Sequence, residues 1–535
     1  MECWGVMGRA EARVPEVTEA RARAARRLPR RVWVVALVAV GALGFLSPYV
    51  EIIISGSQIG SFAPPAGALV ALFLLAAVVN PLVRLVSRRK ARGLSRQEMA
   101  AVYVVLLSIA VLTSCQFAQW IVPVVTGPFY YATPENRWEE LSQHIPSWWY
   151  PGRASAIRRF YEGLPPGQPF PWLDWMKPLA TWGPFVFVLY ATMLAICALL
   201  RRQWVENERL VFPLVQLPLD MSKEAEPGRI VPGLFRDKVL WLGAALPLIV
   251  HTLNGLANNI PAVPALQLRY IQIGAHFASR PWVALNPFFI SIYFGLIGFA
   301  FLSGRDVPFS IWFFFLLMKA ECVFGNALGW TTGGESRALR SNDFPLVVSQ
   351  QVGSVLALVA VGAWAARRHL RYTWRLAWHQ RGDPEEQREP MSYRAAWLTI
   401  LLGTLFLAGW CTAAGMSFWL ALILFGLTFA FLLGVYRMMA EGGVNFLWAA
   451  QSGPNYIIYS LDGGSRLGPR QWLVLLCLPY FIWNFKGPVG PQALEGFKLS
   501  TETRLPQRQL VPIMLVSMAL AMLTAYWSVI WLVHR

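Results

Sequence analysis

The sequence predicts an all-α, polytopic transmembrane helical bundle of about twelve spans, with several Pro/Gly-broken helices, and three observations predict it. Only 14% of the 535 residues are charged while 56% are apolar; a water-facing globular chain carries roughly a quarter charged residues. Apolar runs recur from Val32 to the C-terminus, many near the ~20 residues that cross a bilayer core. The excess of 47 Lys+Arg over 29 Asp+Glu collects between those runs, as positive charge does in loops kept in the cytoplasm. Together these exclude soluble enzymes, secreted disulfide scaffolds and disordered chains.

Residues 1–31 hold eight Arg and four Glu and read as a basic cytoplasmic arm at the membrane surface. The run 32–54 is too long for a signal-peptide core and lacks a small-residue cleavage site. Arg26-Arg27 is only loosely similar to a twin-arginine signal. Spans are expected at 32–54, 63–87, 99–125, 179–200, 238–257, 286–303, 307–329, 345–366, 395–414, 417–436, 471–486 and 509–533. Alternating them puts 84–96, with six Lys/Arg and no acid, on the side of the N-terminus. The loops 201–238 and 367–394, with seven Lys/Arg each, fall on that side too. The loop 126–178, with five basic and five acidic residues, falls opposite. This asymmetry predicts both termini in the cytoplasm. Residues 32–366 form a first membrane unit of eight spans that includes the external aromatic loop 126–178. Residues 367–394 are a charged cytoplasmic linker, and 395–535 carry the last four spans.

A structural membrane helix needs no polar atoms at mid-depth, where ionisable and amide side chains are costly. Proline and glycine there free backbone groups that other protein or water must satisfy. Both features coincide in five places. Ser47-Pro48-Tyr49-Val50-Glu51, running on to Ser55-Gly56-Ser57-Gln58, fits a discontinuous helix pair, or a carboxylate at the outer interface. Gln116 and Gln119 share a helix face beside Thr113, Ser114 and Pro123, as interhelical hydrogen bonds or the lining of a path. Asn254 and Asn258 lie one turn apart before Pro261, as solute ligands or helix caps. Lys319 and Glu321 sit among phenylalanines, two residues apart and so not facing each other. Arg437 and Glu441 are spaced to pair on one helix face just before Gly442-Gly443 and Asn445, either as a working ion pair or as a surface pair worth little.

Other chemistry has no anchor. The six cysteines are scattered singly without metal-ligand spacing, and the six histidines never pair on one helix face. No phosphate-binding glycine loop, nucleophile elbow or convincing carboxylate pair occurs. No catalytic residue, metal or cofactor is expected, and the protein is not expected to be an enzyme.

Two long segments carry a resemblance. Thr126-Gly127-Pro128-Phe129-Tyr130-Tyr131-Ala132-Thr133-Pro134-Glu135-Asn136-Arg137-Trp138 is one. Arg201-Arg202-Gln203-Trp204-Val205-Glu206-Asn207-Glu208-Arg209-Leu210-Val211-Phe212-Pro213-Leu214-Val215-Gln216-Leu217-Pro218 is the other. With the element from Arg437 to Gly442, they resemble a large uncharacterised family of bacterial polytopic membrane proteins, over most of the chain after the basic arm. A more distant similarity, through Leu210-Val211-Phe212-Pro213, is to the oligopeptide transporter superfamily, proton-coupled importers of peptides and metal chelates with more spans than this chain. The first resemblance implies a bacterial multi-pass protein, expected in the inner (plasma) membrane, and the charge asymmetry puts its N-terminus in the cytoplasm. Relatives carry further membrane helix past His534-Arg535, which implies a C-terminally shortened copy.

The expectation is a secondary active transporter, a proton-coupled symporter of a small polar or peptide-like solute. Glu441 would exchange the proton while Arg437 favours its charged form, with Glu51 and Glu321 as secondary proton candidates. Gln116, Gln119, Asn254, Asn258 and Asn445 would bind the solute. The expected partners are the lipid bilayer and that solute, with a homo-oligomer left open and no nucleic acid. The alternative is a non-transporting scaffold of an envelope complex, or a membrane-embedded enzyme acting on a lipid-linked substrate.

Overall fold

In lipid a backbone amide finds no partner but a carbonyl of its own chain, so long apolar runs become helices. The computed structural model describes residues 28–86, 93–114, 117–226, 229–330, 344–379, 383–444, 453–462, 466–478 and 489–535. Its main helices are α1 (Arg30–Ile53), α2 (Ala66–Val86), α3 (Arg96–Thr113), α4 (Ala118–Tyr130), α5 (Trp172–Asn207), α6 (Lys238–Ala257), α7 (Asp306–Ala327), α8 (Val347–Trp378), α9 (Tyr393–Ala413), α10 (Phe418–Gly442), α11 (Val489–Glu502) and α12 (Gln507–Val533). Strand among the described residues is one antiparallel pair, Ile271–Gln272 with Phe289–Ile290. The chain is an all-α bundle. Counting α3 and α4 as one broken span, ten of its described helices are long and apolar enough to cross a membrane.

The expected count was twelve. The span expected at 286–303 is helical only over Phe294–Leu302, and that at 471–486 only over Pro469–Cys477 before the described residues stop. Conversely, α8 runs to Trp378, well into the expected linker. Arginine is a good helix former, so α8 outlasts the apolar run that hydropathy detects.

At the centre stands α3, buried at every residue from Glu98 to Thr113. Its start is fixed by a capping box, in which Ser95 accepts from the Glu98 amide and the Glu98 carboxylate accepts from the Ser95 amide. Arg31 of α1 clamps the same carboxylate through two 2.8 Å bonds. Around α3 pack α1, α2, α11 and α12, while α5, α8, α9 and α10 form a second group. The short α11 touches α3, α5 and α10 and so joins the two. On the periphery, α6 has one buried residue, Val250, and α7 exposes Phe309, Trp312 and Phe314. A helix that is apolar all round and uncovered by protein is suited to lipid.

Hydrogen bonds sort the chain onto two faces. Leu28 donates to Gln509 at the start of α12, and Arg508 donates to the Glu386 carbonyl just before α9. Arg201 at the end of α5 pairs with Glu389, and the Phe212 amide donates to Ala440 at the end of α10. This basic face therefore holds the start of α1. The Leu164 amide, in the 126–178 loop, donates to the His534 carbonyl after α12, so the two ends of the described chain lie on opposite faces. Leu28 and His534 therefore do not share a face, while the N-terminus itself, expected on the side of the C-terminus, lies outside the described residues. Gly443 closes α10 on the basic face, yet Arg470 packs on Gly415 at the far end of α9. Val444 and Arg470 thus lie toward opposite faces, and the helix described between them, Pro454–Asp462, is too short to register as a span.

Candidate functional site

Pro48 lacks the amide that would continue α1, and the helix widens into a π-turn over Tyr49–Ile53. Glu51 lies in that turn, twenty residues past Arg31, about 30 Å along the helix at 1.5 Å per residue. The chain then folds back, and the Ile59 amide donates to Glu51 Oε1 at 3.0 Å. Next to it Gly60 lies flat on α3. A Cβ there would stand 2.0 Å from the Ala110 carbonyl oxygen, so only glycine permits the approach.

The helix α3 stops at Ser114, whose backbone (φ −104°, ψ −133°) is non-helical, and α4 resumes at Ala118. Ser114 Oγ donates to Glu51 Oε1 at 2.6 Å and lies 3.2 Å from Ser61 Oγ. Ser47 and Thr113 hydroxyls are 3.3 Å apart just below. Gln119, in the first turn of α4, sits beside the same carboxylate. Two predicted positions, Glu51 and Gln119, are thereby brought together at one helix break. Gln119 bonds weakly to that carboxylate, and neither Glu51 Oε2 nor Gln119 Nε2, both buried, has a hydrogen-bond partner of close geometry among the described residues. Gln116, predicted beside them, lies outside the described residues.

The second cluster is on the basic face. Arg437 does lie near Glu441, at 3.8 Å, but its close partner is Glu208 at 2.6 Å. Glu441 is 56% exposed and Glu208 only 18%, so the better-shielded carboxylate is one that sequence spacing did not single out. Gln203 Nε2 donates to Glu208 at 2.8 Å, and Asn207 donates to Gln203 at 3.0 Å. Phe212 adopts a left-handed backbone (φ +49°), with its amide on the Ala440 carbonyl at 2.8 Å. Gly443 (φ +63°) ends α10 against Pro213. The segment from Arg201 to Pro218 and the element from Arg437 to Gly442 are therefore one assembly. Beside it, Arg201 and Glu389, each 2% exposed, form a two-bond ion pair at 2.8 Å, with Glu206 and Thr501 as further Arg201 partners.

The other predicted residues lie apart. Asn254 uses both ends of its amide on the Leu266 backbone, at 3.0 and 2.7 Å, which clamps the turn after α6. Asn258 caps α6 through its own amide, and its side chain is exposed. Lys319 donates to the Leu285 and Pro287 carbonyls, while Glu321 is half-buried on α7. Asn445 lies outside the described residues.

Sequence reasoning passed over α11 because its fourteen residues are too polar to read as a span. Gln492 is fully buried, with neither amide atom hydrogen-bonded among the described residues, and Glu495, one turn on, is 4% exposed. The Tyr103 hydroxyl of α3 is also buried without a partner among the described residues. At Gly490 a Cβ would meet the Tyr436 ring at 1.9 Å. The available signal was the proline-glycine run before Gln492, which marks a broken helix.

No curated protein and no solved structure matches the chain. A family model does match, over residues 22–535, and the chain belongs to the family of unknown function DUF6785.

Proposed function

We propose that this protein is a secondary active transporter that couples proton movement to the passage of a small polar or peptide-like solute. The observation that carries the reading is the Glu51 carboxylate, set in a helix break beside the Gln119 amide, with one buried oxygen that has no hydrogen-bond partner of close geometry among the described residues. Unsatisfied polar groups are costly in a bundle, and ionisable groups there mark proton and solute paths. Discontinuous helices are the usual seat of such groups in carriers.

In this reading Glu51 takes and releases the proton, and Ser114 with the Ile59 amide holds its carboxylate in place. Gln119 offers a hydrogen-bond donor to the solute. Arg437, Glu208 and Glu441 form the charged end of the path on the basic face, which the positive-inside rule assigns to the cytoplasm of a bacterial cell. Glu51, rather than the exposed Glu441, is the first proton candidate, and Glu321 remains a secondary one. The peptide-like character of the solute rests on the likeness at Leu210-Val211-Phe212-Pro213 alone.

Uptake into proteoliposomes enclosing a pH dye tests this. Pools of short peptides, amino acids and metal chelates are offered to the wild type, to Glu51→Gln and to Glu441→Gln. Solute-dependent acidification lost in Glu51→Gln and kept in Glu441→Gln supports the reading. Silence of folded protein across all pools, under a proton and then a sodium gradient, rejects it in favour of a scaffold or an enzyme.

A further inference from the structure

A cavity of about 250 Å³ opens between α5, α8, α9 and α10. Leu200, Leu358, Ala363, Trp397 and Leu433 line it, and among the described residues the only charged one on its wall is Arg437, which is already paired with Glu208. A slot of this composition does not hold ordered water. Its walls suit hydrocarbon.

The helix α8 supplies the second observation. Its 32 residues make about 48 Å of helix, against a bilayer core of about 30 Å. Along one ridge of residues four apart, Val359 and Ala363 wall the cavity, and Arg367, Arg371 and Arg375 follow directly. The ridge turns from apolar to cationic within a single turn, beside the cavity and outside its lining. None of these three arginines has an ion-pair partner among the described residues. The Arg367 guanidinium lies 4.3 Å over the exposed Trp364 ring, and Tyr372, Trp374 and Trp378 are also exposed. Exposed aromatics interleaved with arginines at one end of a helix mark the headgroup zone.

A hydrocarbon slot flanked in the headgroup zone by guanidinium groups without an ion-pair partner among the described residues, Arg367 donating only to the Trp364 carbonyl of its own helix, is complementary to an amphiphile with an acidic head. We infer that this cleft binds one anionic phospholipid, with an acyl chain between α8 and α10 and its phosphate on Arg367 and Arg371. Guanidinium groups match phosphate oxygens in pairs, and basic pockets between spans on the cytoplasmic side take such headgroups. The site is independent of what the protein carries.

Native mass spectrometry of the delipidated full chain tests the assignment, with phosphatidylglycerol and phosphatidylcholine of identical acyl chains as probes. The expected result is one retained phosphatidylglycerol, preferred over phosphatidylcholine. Arg367→Ala with Arg371→Ala is expected to weaken phosphatidylglycerol binding roughly fivefold per arginine and to leave phosphatidylcholine unchanged. Ala363→Phe fills the slot from an exposed position and is expected to lower binding of both lipids. Equal affinity of the wild type for the two lipids overturns the proposal, as does unchanged phosphatidylglycerol binding by Ala363→Phe.

Discussion

Ser114 donates a 2.6 Å hydrogen bond to the Glu51 carboxylate from the residue at which α3 breaks. One hydroxyl thus ties the π-turn of α1 to the gap between α3 and α4. The two partners are expected to respond differently to substitution. Ser114→Ala removes a hydrogen bond to an ionisable group and should cost about 1.5–3 kcal/mol of stability. Glu51→Gln keeps an oxygen that accepts from Ser114 and from the Ile59 amide, so it should unfold close to the wild type while losing coupled uptake. Thermal unfolding in detergent, read beside the proteoliposome assay, checks both. A destabilised Glu51→Gln with normal uptake would assign Glu51 to structure alone.

The Arg437 pairings make a second prediction. The Glu208 contact is short and four-fifths shielded, whereas the Glu441 contact is long and half exposed. Exposed pairs are worth about 0.2–1 kcal/mol, and less as salt rises. A double-mutant cycle should therefore give Arg437 with Glu208 a coupling of about 1–2 kcal/mol, and Arg437 with Glu441 less than about 0.5 kcal/mol. A larger coupling to Glu441 would restore the sequence-adjacent pair as the main one.

What was legible in the sequence follows from what periodicity and hydropathy measure. The long lipid-length helices read cleanly because each is apolar enough to be recognised without its neighbours. Glu51 and Gln119 were visible as polar residues at proline and glycine breaks, but nothing local showed that 68 residues of separation close into one cluster. Glu208 escaped because its role depends on α10 folding back against the segment after α5. The helices α11 and Pro454–Asp462 escaped because they are short, and protein rather than lipid covers much of α11. Hydropathy also cut α8 at Ala366, since it registers the apolar turns and not the arginine-rich ones that continue them.

His534 sets a pH dependence on the face opposite Arg30. Burial is the main force that pushes its imidazole below the ordinary histidine range, and Arg159 adds to it. Nδ1 lies 2.7 Å from the Ile530 carbonyl, which only accepts, so the neutral ring carries its proton there. Nε2 is buried without a partner among the described residues, so a second proton would be placed where none of them receives it. Because the folded value lies below the unfolded one, the unfolded chain binds more protons across the interval between them, and stability rises with pH there. Stability should fall as pH drops through about 6.5 and level off below the depressed value. His534→Phe should flatten that slope in pH-dependent thermal unfolding. An unchanged slope would place the titration elsewhere.

The Arg201–Glu389 pair gives the largest expected stability effect. Both side chains are 2% exposed, and they join the end of α5 to the residues that lead into α9. Removing one partner of a buried pair leaves an uncompensated charge and costs about 3–5 kcal/mol. Arg201 retains Glu206 at 2.7 Å and Thr501 at 3.4 Å after Glu389→Ala, so that loss should sit near the lower bound, about 3 kcal/mol. Arg201→Ala leaves the Glu389 carboxylate without its only ion-pair partner among the described residues and should cost more. Replacing both together removes the two buried charges at once and should cost less than the sum of the single changes. Unfolding of the three variants in one detergent and pH measures the difference, and strict additivity would show that the pair is not coupled.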